Sequence, residues 1–86
     1  MHIIFRGRVQ GVGFRYTSLR IAAGYALIGS VRNLPDGSVE MLAQGTKKDV
    51  DNCLSDIQEH FGGHIRECAT KEVPFDPRRS GFRISY

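Results

Sequence analysis

The stretch G-R-V-Q-G-V-G-F-R, Gly7 to Arg15, decides how this chain folds. It leaves an alternating apolar run (Ile3, Phe5, Val9), the period of a half-buried strand, and enters a run with the 3.6-residue period of a helix. Gly11 and Gly13 flank Val12 at the junction, and glycine admits backbone angles closed to other residues. Successive amides can therefore turn toward one point and form an anion nest, reinforced by the free N–H groups of the following helix. Arg15 adds a planar fork that matches two phosphate oxygens. The competing reading is an ordinary glycine turn with Arg15 solvated. Two phosphate motifs are excluded: no Lys-Ser or Lys-Thr follows the last glycine, and Tyr16 stands where a dinucleotide fingerprint needs glycine.

Working outward, Phe14 to Leu27 reads as a helix, with Phe14, Ser18, Ile21, Ala22 and Tyr25 on one face and Gly29 marking the exit. Ile28–Leu34 and Ser38–Gln44 read as strands joined by L-P-D-G, a hairpin in which glycine takes the positive φ. Thr46 caps a second helix with Asp49 three places on. Val50, Cys53, Leu54, Ile57 and Phe61 form its apolar stripe, and Gly62-Gly63 ends it. Ile65 to Val73 is a poorly patterned strand, and Phe82, Ile84 and Tyr86 alternate as a closing one. This order predicts an α+β fold: a ferredoxin-like βαββαβ sandwich, with a mostly antiparallel sheet of four to five strands and two helices on one face.

The chain has 86 residues, 41% hydrophobic and 24% charged, with a net charge of +3, and the expectation is a single domain over 1–86. No apolar run approaches the ~20 residues of a membrane helix. The early charge in M-H-I-I-F-R-G-R argues against a secretory signal, so a cytoplasmic location is expected. Arg6, Arg8 and Arg20 lie near the glycine loop and read as a solvated basic face. Cys53 and Cys68 are too few for a disulfide scaffold. His60 and His64 are four apart, but Gly62-Gly63 intervenes and no paired carboxylates accompany them, so no metal and no cofactor is expected.

Asn33 ends the second strand, where a split βαβ unit can bring it near the glycine loop. Its amide can accept from a water and donate to a substrate oxygen, or it can simply cap the hairpin turn. Arginine, amides and one asparagine can orient and stabilise charge but shuttle protons poorly. Such a set suits an activated substrate, such as a carboxylic–phosphoric anhydride.

V-Q-G-V-G-F-R at Val9–Arg15, followed by G-S-V-R-N-L-P-D-G-S-V-E at Gly29–Glu40, closely resembles the acylphosphatase family. The resemblance runs from about Arg6 to Gly45 and continues more weakly through Phe82-Arg83-Ile84. It implies a metal-free hydrolase that cleaves acyl phosphates to carboxylate and inorganic phosphate. On that resemblance Arg15 holds the phosphoryl group with amides of Gln10, Gly11, Val12, Gly13 and Phe14, and Asn33 positions the attacking water. The partner is a small acyl phosphate, with no nucleic acid or membrane, and a monomer is expected. The sequence departs from the family pattern at Ser30, often aromatic in relatives, at Ala26, often glycine, and through G-G-H-I-R-E-C-A-T-K. The alternatives are a phosphate-binding module without catalysis, as found in larger carbamoyl-transfer maturation proteins, and an RNA-binding ferredoxin-like domain. The first is expected to rank lower, since 86 residues are read as leaving no room for partner domains and Asn33 is present; the second lacks an RNP1-type octamer.

Overall fold

The computed structural model describes all 86 residues. Strand β1 (His2–Gly7) leads through the glycine loop into helix α1 (Phe14–Gly24). The hairpin β2 (Ile28–Asn33) and β3 (Val39–Gln44) follows, then helix α2 (Lys47–Phe61). A 3-10 turn (Gly62–His64) leads into β4 (Ile65–Lys71), and β5 (Phe82–Ile84) closes the chain. The sheet order is β4-β1-β3-β2-β5, antiparallel except for the parallel β2–β5 pair.

Alternation sends Ile3, Phe5, Val31, Val39, Met41 and Ala43 to one face of the sheet. The helices cover that face. All five residues of the α2 stripe are buried, as are Phe14, Ser18 and Ala22 of α1. Phe14 packs between Phe5 and Phe61, with ring centroids 4.9 and 4.4 Å away. This aromatic row pins the first residue of α1 to the core and so fixes where the helix begins.

Helix α1 stops three residues short of the expected Leu27, and Gly29 lies within β2. The cause is a Schellman-type end: Leu27 N–H donates to Ala22 O at 3.1 Å and Ala26 N–H to Ala23 O at 3.0 Å. That geometry puts Ala26 at φ 55, the only non-glycine residue with positive φ. The weakly patterned 65–73 segment is a true strand through Lys71, aligned by pairs such as Ile4 with Ala69 and His2 with Lys71. Its side chains are half-buried or exposed because β4 is an edge, so no clean alternation was there to read. The Leu34–Gly37 turn closes with Gly37 N–H donating to Leu34 O at 3.1 Å. Thr46 Oγ1 accepts from Asp49 N–H at 3.1 Å, as the capping signal predicts.

Candidate active site

The loop after β1 turns at its two glycines before α1. Gly11 and Gly13 both adopt left-handed angles, at φ 77 and 75, and Gly13 is the N-cap of α1. A glycine cap has no side chain to satisfy the first turn, and no acidic residue stands there. The N–H groups from Gly11 through Tyr16 consequently have no acceptor within the protein. Six neighbouring donors at the positive end of a helix dipole attract an oxyanion.

The fold brings Gly11, Gly13, Phe14, Arg15 and Asn33 around one cavity of about 180 Å³. Arg15 is half-buried and joins no ion pair, and its guanidinium stacks 5.1 Å from the centre of the Tyr86 ring. Phe14 gives the cavity its backbone, because its ring belongs to the core. Val12 is 42% exposed, and neither it nor Gln10 borders the cavity.

Asn33 does not cap the hairpin, because that turn is satisfied by other groups. Asp36 Oδ1 accepts from Ser38 N–H at 3.0 Å and from Ser38 Oγ at 2.5 Å. Arg6 donates to Asp36 Oδ2 at 3.1 Å, so this arginine is committed to the turn. These bonds, the Ser38 hydroxyl first, hold the Asp36 carboxyl at about 2. The Asn33 carboxamide has no partner in the protein and stays free at the cavity wall.

One connection escaped the sequence. The Gln10 side chain crosses to the hairpin, where its Nε2 donates to Leu34 O at 2.8 Å and to Ser38 O at 2.9 Å. Leu34 follows Asn33 directly, so Gln10 ties the glycine loop to the backbone that carries the carboxamide. The Tyr86 stack on Arg15 was equally hidden, since neither contact leaves a local pattern.

Fold and cavity together define a class, ferredoxin-like α+β proteins with an amide-lined cleft where the first strand meets the first helix. The chain belongs to the acylphosphatase family, whose model matches residues 1–84. It is 44% identical over 85 residues to an acylphosphatase of Chlorobaculum tepidum, covering 98% of this chain and 92% of that one. Its structure resembles the acylphosphatase of Bacillus subtilis, with a TM-score of 0.91, 32% identity and coverage of 99% and 96%. It also resembles part of a much longer protein, HypF of T. kodakarensis, with a TM-score of 0.85 and 31% identity. That match spans 99% of this chain but 11% of the other.

Proposed function

We propose that the protein is an enzyme that hydrolyses the carboxyl–phosphate bond of acyl phosphates, with Arg15 and the loop amides as phosphoryl receptor and Asn33 as water guide. The observation that carries this reading is the shared cavity: unpaired amides and an unpaired guanidinium on one wall, a free carboxamide on the other. The amides of Gly11, Gly13 and Phe14 and the Arg15 fork take the non-bridging oxygens, while Gln10 and Val12, also expected there on the resemblance, stand away from the cavity. Asn33 accepts one hydrogen bond from a water and aims its oxygen at phosphorus. The water oxygen forms the new P–O bond as the P–O bond to the acyl group breaks. The carboxylate leaves with the electron pair, and the water proton passes to a phosphate oxygen. A carboxylate with an ordinary pKa near 4 needs no protonation to depart. That explains how a cleft without a carboxylate, histidine or lysine can suffice. In-line displacement through a loose transition state asks mainly for positioning and charge stabilisation.

The cleft is small, about 180 Å³, which supports a small-molecule substrate. Free Cys53 and Cys68 fit a reducing, cytoplasmic setting. Phe5 is wholly buried and unavailable for base stacking, which supports the exclusion of RNA. Phosphate release should be measured with benzoyl phosphate and with a simple phosphate monoester, each in the presence of a chelator. Turnover of the anhydride alone is expected. Phosphate binding without release would favour the non-catalytic module.

A further inference from the structure

The opposite face of the sheet holds a second polar cavity that the reaction above does not use. Ser30 and Arg83 stand beside each other in the parallel β2–β5 pair. Val31 faces the core, so alternation turns Ser30 outward and puts Asn33 on the core side with Val31. Ser30, Ser85, Arg78, Arg79, Arg83 and Asp76 line a space of about 470 Å³ without an apolar residue.

The loop that supplies the arginines is held at both ends. Gln44 grips the Asp76 backbone, its Oε1 accepting from Asp76 N–H at 2.7 Å and its Nε2 donating to Asp76 O at 3.1 Å. Gly29 N–H donates to Gly81 O at 2.9 Å. The Asp76 carboxylate then accepts from Arg78 N–H at 3.0 Å and Arg78 Nε at 3.1 Å, with Arg79 Nε 3.8 Å away. These contacts engage the Nε edge of each guanidinium and leave its terminal nitrogens without a carboxylate partner. Arg83 has no ion pair at all.

We propose that this cavity is a second anion site, taking a multiply charged phosphate-type oxyanion independently of the phosphoryl group that reacts at Arg15. Three guanidiniums face one carboxylate, a surplus of positive charge that a cation or an apolar ligand cannot answer. Planar forks match tetrahedral phosphate oxygens in pairs, and the Ser30 and Ser85 hydroxyls add neutral donors. A monocarboxylate would fill one fork and leave two empty. The small side chain of Ser30 leaves room for the ligand above β2.

The test is a titration of ¹⁵N-labelled protein followed by amide chemical shifts at physiological ionic strength, where diffuse surface attraction is largely screened. Inorganic pyrophosphate is the first probe and phenyl phosphate the second. Saturable shifts at Ser30, Arg83 and Ser85 are expected, with Kd at or below about 1 mM. Response to both probes assigns a single-phosphoryl ligand, and response to pyrophosphate alone assigns a polyphosphate. Arg83→Ala should abolish these shifts. Ser30→Phe should abolish them too, because it fills the space while keeping every charge, and shifts at Gly11 and Gly13 should persist in both variants. Shifts confined to Gly11–Arg15, or a Ser30→Phe response equal to wild type, would overturn the proposal.

Discussion

Arg15 is the only cation bordering the candidate active-site cavity, and it spends none of its charge on a protein carboxylate. Charge-assisted hydrogen bonds contribute about 1.5–3 kcal/mol, so Arg15→Ala should raise the inhibition constant of inorganic phosphate roughly 10- to 100-fold. An unchanged constant would remove Arg15 from the phosphoryl receptor. Gln10 acts at one remove, through the two carbonyls it joins. Gln10→Met keeps length and loses the donor, so the loop can drift from Asn33. Misplacement on the order of 1 Å costs up to about 10²-fold, so kcat should fall by about 10- to 100-fold while phosphate inhibition changes little. Equal rates would reduce Gln10 to a stability contact. That Arg15 and Asn33 meet at one cavity was legible in the sequence because each sits in a short contiguous motif. The side-chain target of Gln10 was not, since its acceptors lie 24 and 28 residues away and belong to the backbone.

At the scale of elements, the strongly periodic pieces matched their patterns, and the exceptions have local causes. The stripe of α2 is buried as read, and its Thr46 cap is in place. Helix α1 ended early because its last turn closes a six-residue hydrogen-bonded loop in which Ala26 takes a left-handed angle. That angle costs a residue with a Cβ about 1–2 kcal/mol, whereas glycine loses about 0.4–1 kcal/mol through unfolded-chain entropy. Ala26→Gly should therefore stabilise the protein by about 0.5–1 kcal/mol in chemical denaturation; a loss of stability would contradict the strain. The β2–β3 turn carries a pH signature. Asp36 titrates at about 2 when folded against an ordinary 3.8, so its ionised form stabilises the fold at neutral pH. As pH falls from 3.8 toward 2, the unfolded chain takes up the proton first and that contribution disappears. Wild type should lose more thermal stability across this window than Asp36→Asn; parallel losses would show that the turn network does not matter.

Across the whole molecule, the sheet order does the assembling. With β1 and β2 both beside β3, the loop leaving β1 and the residue ending β2 come to one edge of the sandwich. Burial of Phe14 holds the helix start there, and the Gln10 clamp sets the gap. The architecture was readable to this depth because the hydrophobic periods fix which faces meet. The edge strand β4 and the loop before β5 carry little apolar signal, so their course came only from backbone pairing. The division of labour between the two cavity walls is tested most directly by steady-state kinetics of Asn33→Ala on benzoyl phosphate. The expected result is a kcat at least about 10²-fold below wild type with KM changed little, since binding stays with Arg15 and the amides. A kcat within about twofold of wild type would contradict it, for water would then reach phosphorus without the carboxamide.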